Sequence, residues 1–576
     1  MKAFYKIDFS QKEQKYVHVE LNLKLENYSE KELILMMPVW SPGSYLVREY
    51  SRHLDCFEAM NISGEKINFQ KIRKNQWRME NPGEEIKIKY RLYCNEFSVR
   101  TNFVDDVHAL LVAPATFLIP EQKGLCNYFE VEVSLPEGWN QISTGLHRVE
   151  GASNKFYAED TDDFLDCPIE AGNYKTFEFE AFGKPHYVAV IGPDVYDEKI
   201  LINDMKRVVE ATAKILGDIP YEHYTFIVHL TQNSSGGIEH KNSSVLHFIR
   251  WDFQNPEKYK RMWLSLVSHE YFHLWNVKRI KPVELADFDY NNENYTSLLW
   301  MSEGFTSYFD DLILRRAGIY SEDEYLTVLS YIIERLLTIP GRFYQSVEEA
   351  SFDAWIKFYR KHENTNNQGI SYYVKGAQLA LALDFEIRKR TNHQKSLDDL
   401  LKMLWNDYLK DPLTGYTKDI IISYAQELAG DLTEIFSEFL EKVTEIDYDK
   451  YLSYAGLKLK ITDNGKPALG IDIKTENGLL ICTYVRDKES GYQAGIMPGD
   501  EIIAIDGYRV NEAAFNKRIK FMSIGTKIKI TLARDERILE KEVIVSGSKY
   551  DSIKIERINN PSEEQIQFFN QWLKVY

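Results

Sequence analysis

Apolar and polar residues alternate at Val17, Val19, Leu21, Leu23 and Leu25, again at Ile86, Ile88, Tyr90 and Leu92, and again at Phe129, Val131, Val133 and Leu135. A period of two puts the apolar side chains of each run on one strand face. Residues 1–172 are therefore expected to form an N-terminal antiparallel β domain, a sandwich or large curved sheet, with Asn81-Pro82-Gly83 and Pro136-Glu137-Gly138 as turns between strands. No chemistry is expected there. One segment stands apart: Pro38-Val39-Trp40-Ser41-Pro42-Gly43-Ser44-Tyr45, followed by Arg48 and Arg52, is a rigid aromatic turn that reads as a sheet-capping loop.

Over residues 173–455 the period changes. Strands near Phe177 to Phe182 and Thr225 to Leu230 give way to long stretches with apolar residues three and four apart, an α-rich domain. The polar segments Leu285 to Tyr295 and Lys361 to Gln368 are expected to be loops of the kind that shape a site entrance. Residues 456–546 form a compact β-rich unit. In the tail, 547–576, Ser562 and Gln565 make a capping box ahead of Ile566, Phe569 and Leu573 on one stripe, which predicts a docking helix. The fold class is multidomain α+β.

The length of 576 residues fits three or four domains at roughly 150 residues each. A net charge of −17 opposes nucleic-acid backbones and anionic membrane surfaces, so neither partner is expected. The chain has no apolar run of about 18 residues, and its start breaks into charges at once, which predicts an unexported, cytoplasmic protein. Five widely spaced cysteines (Cys56, Cys94, Cys126, Cys167, Cys482) fit reduced thiols.

The chemistry concentrates in the middle domain. His269-Glu270-Tyr271-Phe272-His273 lies in a helix expected over Arg261 to Val277, so the two imidazoles, four residues apart, share one face and can meet a single ion. Glu270 faces the same cleft. Two satisfied core histidines are the alternative. Glu303 falls on a second buried helix beginning at Trp300, where a carboxylate needs a cation, and a zinc site of two His and one Glu supplies it. Asp310, seven residues on, is placed either to orient a ligating imidazole or to sit solvated beside Asp311. Gly236-Gly237-Ile238-Glu239-His240 follows a strand, and its glycines admit a substrate backbone to a sheet edge where Glu239 projects a negative charge. Tyr372-Tyr373-Val374-Lys375-Gly376 opens another helix, where a tyrosine hydroxyl either meets a developing oxyanion or packs in the core.

Together these residues resemble a gluzincin metallopeptidase of the glycyl aminopeptidase family: an N-terminal β domain, a thermolysin-like zinc peptidase domain and a C-terminal PDZ domain. The turn at 38–45, Gly236 to His240, His269 to His273, Glu303 to Thr306 and Tyr372 to Gly376 occur in the family's order. The resemblance implies that His269, His273 and Glu303 bind Zn²⁺, one ion per chain. It further implies that Glu270 is the general base, that Glu239 holds the α-amine of a peptide with a free N-terminus, and that Tyr373 stabilises the oxyanion. A preference for small residues such as Gly or Ala comes from the family alone. Two departures separate the chain from puromycin-sensitive-type aminopeptidases: 29 residues lie between His273 and Glu303, and His240 follows Glu239 where those enzymes carry Asn. His240 is either a substrate contact or a structural turn residue.

Gly491 to Gly507 resembles a protease-associated PDZ domain, with Leu469, Gly470 and Ile471 as its peptide groove and a peptide C-terminus as ligand. A packing module that braces the catalytic domain is the other reading. For the whole chain, the alternatives to an aminopeptidase are a zinc endopeptidase and a catalytically silent PDZ scaffold.

Overall fold

A computed structural model describes residues 1–576 apart from 27, 464 and 549–551. In the N-terminal domain the alternating runs form strands Tyr16–Lys24, Glu85–Tyr93 and Phe129–Ser134. Tyr16–Lys24 pairs antiparallel with Lys2–Asp8 and with Glu85–Tyr93, aligning Val19 with Ile7 and Tyr90 on the buried face. The antiparallel expectation has an exception, since Lys2–Asp8 also pairs parallel with Phe129–Ser134. That pairing closes over more than a hundred residues, which local periodicity does not reveal.

The middle domain opens with a mixed sheet. Its strands β1 (Lys175–Ala181), β2 (Lys184–Ile191), β3 (Tyr224–Thr231), β4 (Gly236–Glu239) and β5 (Ser243–Ile249) lie in the order β1-β2-β3-β5-β4, so β4 is an edge. Both faces are buried, and by alternate residues. Phe226, Val228, Leu246 and Phe248 join the helical core, whereas Ile227, Ile238 and Val245 join the core of the N-terminal domain. The traffic runs both ways, because Val39, Trp40 and Tyr45 of the aromatic turn are part of the helical core.

Helix α1 (Ser265–Phe272) follows a π-helical turn, Tyr259–Leu264, and helix α2 (Thr306–Arg316) follows another, Trp300–Phe305. Turns of this kind are uncommon and cluster at functional sites. The helix expected over Arg261 to Val277 ends earlier, at Phe272. Its exit is fixed by Asn276, whose amide donates to the carbonyls of Met301 and Ser302 at 3.1 Å each, tying the chain to the second ligand helix.

Helix α3 (Tyr372–Arg390) is capped by Ser371, whose hydroxyl accepts from the Val374 N–H. It crosses the Trp300–Phe305 turn at two glycines: a Cβ on Gly304 would lie 2.5 Å from Gly376 Cα. Only glycine at both positions permits this approach, which sets the head of α3 beside Glu303.

Strand β6 (Leu457–Thr462) continues the chain into the C-terminal region, where β7 (Ile471–Glu476), β8 (Leu479–Val485) and helix α4 (Glu512–Lys520) belong to the PDZ-like unit. This unit has its own core, including Cys482, Ile502, Ile530, Leu532 and Val543. Strand β9 (Ser552–Arg557) then pairs with β6, not with the unit between them, and the Ile555 N–H donates to Ser330 on the neighbouring helix. The predicted docking helix is α5 (Glu563–Trp572), with both arms of its capping box formed. Its buried stripe differs from expectation. Phe568, Phe569, Trp572 and Leu573 pack inward and Ile566 is 47% exposed, because Phe385 and Tyr325 receive the Trp572 ring one position round the helix.

Candidate metal centre and active site

His269 of α1 and His273, the residue that caps its end, both face Glu303. His273 Nε2 lies 3.1 Å and His269 Nε2 3.6 Å from Glu303 Oε2. Their other ring nitrogens are occupied: His269 Nδ1 meets Asp310 Oδ2 at 2.9 Å, and His273 Nδ1 donates to the Asn276 carbonyl at 2.7 Å. Held in this way, each ring presents an Nε2 lone pair inward. Glu303 Oε2 is buried, with the two Nε2 atoms as its polar neighbours and no well-aligned hydrogen bond to either. Three convergent atoms at ligand spacing, with the outer nitrogens already held, fit a divalent cation bound by two His and one Glu. Burial alone would raise the Glu303 carboxyl, but the facing His273 and His269 rings outweigh it and keep it low, as a carboxylate.

A second buried trio, His108, Glu170 and His229, has the same composition but not the same geometry. His108 Nδ1 and His229 Nε2 meet different oxygens of Glu170, at 2.8 and 3.0 Å, as hydrogen bonds. It pins a strand of the N-terminal domain to β3.

Glu270 is buried under the edge strand. A Cβ on Gly237 would fall 2.4 Å from Glu270 Oε1, so the strand passes directly over this carboxylate. Burial pushes the Glu270 carboxyl up to about 7; the two imidazoles lower it, and Glu239 and Glu303 raise it. Glu239 ends the same strand, with oxygens of Glu239 and Glu270 and a ring nitrogen of His273 all within 4.8 Å of one another. Gly236 has a φ of 141° and open space around it. His240 is drawn the other way, its Nδ1 3.3 Å from Asp166, which also binds Lys278 and the Lys241 N–H.

Tyr373 stands at the head of α3, with its ring 6.1 Å from that of His269 and stacked on Phe358. Tyr372, its neighbour, is fully buried in the core.

Several residues at the site carry no local signal. The aromatic turn at 38–45 is more than a sheet cap: Gly43, at φ 87°, lies so close to Glu239 that a Cβ would sit 2.4 Å from its Oε1. Tyr45 packs edge-on against Trp355 and Tyr359, and burial together with Glu303 and Glu239 pushes its hydroxyl well above the ordinary range. Arg100, also from the N-terminal domain, donates to the Gly237 carbonyl at 3.0 Å. Tyr359 interacts through its hydroxyl with Tyr373. The Gly-Ser pair at 43–44 inside an aromatic turn was the available sign of a close approach. The polar segment Leu285 to Tyr295 is a brace, with the Asp289 carbonyl accepting from Trp40 Nε1 and the Tyr290 carbonyl from the Val39 N–H.

Leu469, Gly470 and Ile471 lie apart from this centre, lining a groove of about 710 Å³ with Phe515 and Ile519 of α4. The Leu469 and Gly470 carbonyls are used internally, by the Gly491 and Arg486 N–H groups.

Among the described residues no helix is long and apolar enough to cross a membrane. A family model of the M61 glycyl aminopeptidase matches residues 262–379, one of the peptidase M61 N-terminal domain matches 4–173, and one of the PDZ domain matches 467–545. No curated protein matches the chain. Among solved structures, an aminopeptidase N family protein from Idiomarina loihiensis is 28% identical, with a TM-score of 0.92 over 99% of this chain and 100% of that one. An M1 zinc metallopeptidase from Deinococcus radiodurans is 11% identical, with a TM-score of 0.48 over 77% of this chain and 94% of that one. Yeast LTA4 hydrolase in complex with bestatin is 14% identical, with a TM-score of 0.48 over 79% and 69%. The M61 models fall on the two domains that meet at the His269–Glu303 cluster, and the Idiomarina structure repeats the chain end to end, so this chain carries the N-terminal and peptidase domains of the M61 glycyl aminopeptidase family and is an aminopeptidase.

Proposed function

We propose that the enzyme removes a small N-terminal residue, Gly or Ala, from peptides, using one zinc ion held by His269, His273 and Glu303. Zinc, when bound, supplies a Lewis acid that polarises a carbonyl and lowers the pKa of water. Glu270 is the general base. It follows the first ligand on α1, and its carboxyl, near neutrality, can take a proton from water and return it to the leaving amine. The Tyr373 hydroxyl donates to the oxyanion, and Asp310 fixes the His269 ring.

The observation that carries the exopeptidase reading is the placement of Glu239. It is buried at the end of the edge strand, has an oxygen without a partner, and lies within 4.8 Å of Glu270 and His273. A peptide running along β4 past Gly236 and Gly237 brings its α-ammonium to that carboxylate. Gly43 and Tyr45 close the space beyond, which supports selection of a small first side chain. Residues 469–471 and α4 offer a groove for a peptide C-terminus.

Hydrolysis of free and N-acetylated amino-acid anilides, with and without a chelator, tests the reading. Glycyl and alanyl anilides should be cleaved, the acetylated forms should be inert, and chelation should abolish turnover. Equal cleavage of acetylated substrates would make the enzyme an endopeptidase. Tyr373→Phe should lower kcat by roughly 10²-fold with KM nearly unchanged.

A further inference from the structure

The PDZ-like unit touches the catalytic domain beside the loop that leads into α3, and one side chain dominates that contact. Asn367, on the helical turn Thr365–Gln368, is buried and uses both ends of its amide. Its Nδ2 donates to the Val485 carbonyl at 2.7 Å and to Asn364 Oδ1 at 2.8 Å. Its Oδ1 accepts from the Tyr484 hydroxyl at 2.8 Å and from the Asp487 N–H at 2.9 Å. Two donors and two acceptor positions are all that an amide has, so every one is satisfied, three of them by the PDZ-like unit.

The segment that follows is stiff. The Gly369 N–H returns to the Thr365 carbonyl, a Cβ on Gly341 would fall 2.1 Å from the Gly369 carbonyl oxygen, and the Ile370 N–H donates to Gln345. Ser371 then caps α3, and Tyr372 and Tyr373 follow at once. The same loop, upstream, lays Phe358 against both tyrosine rings, with centroids 4.9 and 5.5 Å apart. On the other side of Asn367, Val485 and Tyr484 are paired with Ile471 and Asp472, the first two residues of the groove-edge strand β7.

We propose that Asn367 is a positioning residue for Tyr373: by gripping the end of β8 it fixes the loop that sets the head of α3, and so joins the PDZ groove edge to the hydroxyl that meets the oxyanion. This rests on the role given to Tyr373 above. Release of the grip leaves the metal ligands in place but lets the hydroxyl wander, and a loss of alignment at a reacting centre appears in kcat.

The test is a double-mutant cycle on the full-length zinc enzyme with glycyl anilide. Asn367→Ala should lower kcat by about tenfold, with KM within about twofold and zinc content unchanged. In the Tyr373→Phe background the same substitution should change kcat by less than about twofold, because two residues that act through one hydroxyl do not add. Tyr484→Phe, which removes one donor from the PDZ side, should act in the same direction but more weakly, and serves if Asn367→Ala does not fold. Tyr344→Phe, which removes a different contact with this unit, the 2.6 Å bond to Asp487, should leave kcat unchanged. Additive losses in the cycle, or a normal kcat in Asn367→Ala, would overturn the inference while leaving Tyr373 its role. A normal kcat in Tyr373→Phe alone would remove that role, and the inference with it.

Discussion

The catalytic domain has two neighbours and meets them differently. Against the N-terminal domain there is no seam: alternate residues of β3, β4 and β5 belong to the neighbour's core, and Trp40 and Tyr45 cross back into the helical core. Against the PDZ-like unit the apolar cores stay separate, and the contact is polar, through Asn367, Tyr344–Asp487 and the bond of Arg486 to the Thr338 carbonyl. A shared apolar core makes two domains one cooperative structure, whereas a hydrogen-bonded seam leaves each with its own stability. The first junction therefore builds the active site, and the second adjusts it.

Four substitutions sharpen or break this contrast. Glu270→Gln, which alters neither apolar core, should cost about 10³- to 10⁴-fold in kcat with zinc content and thermal midpoint unchanged; a near-normal rate would mean that another base acts. Trp40→Ala should destabilise by about 3–5 kcal/mol, and the N-terminal and catalytic domains should lose structure in one transition, followed by calorimetry and by residual activity after heating. Two separable transitions there would contradict the shared core. Asp166→Asn strands Lys278 in the same junction and should cost about 3 kcal/mol near neutral pH. Burial opposes ionisation of Asp166, but Lys278 and His240 hold its carboxyl well below the usual range. Its stabilisation is thus present above the unfolded value near about 3.9 and disappears as the pH falls through the depressed folded value. Urea unfolding between neutrality and strong acid should show a flatter acid limb in the variant. Ile530→Ala, in the core of the PDZ-like unit, should cost that unit about 2–5 kcal/mol, yet lower aminopeptidase turnover by no more than about tenfold. Loss of all activity would show that the second junction is as deep as the first.

The parts of the site that were legible in the sequence are those whose geometry one helix fixes. His269 and His273 share a face because they are four residues apart, and Glu303 stood out as an acid on an apolar helix face. Asp310 lies against the His269 ring, since seven residues from Glu303 return nearly to the same face. What was not legible depends on distant parts of the chain meeting. Gly43 and Tyr45 reach Glu239 from about two hundred positions earlier, Arg100 reaches the edge strand, and Tyr359 meets Tyr373 across a loop. The helix end at Phe272 was misjudged because no Gly or Pro marks it; the stop comes from Asn276 binding a partner helix. The fold class could be read from the switch between periods two and 3.6. The insertion of one unit between β6 and β9 could not, since strand pairing across ninety residues leaves no trace in either strand.

That pairing has a structural corollary. Thr462 faces Ser552, so the polypeptide leaves for the inserted module and comes back at adjacent points on a single ribbon. Seen from the peptidase, the module is a cassette plugged into a hairpin. Both ends of the socket lie side by side, so the ribbon's own pairing does not depend on the length of chain inserted between them.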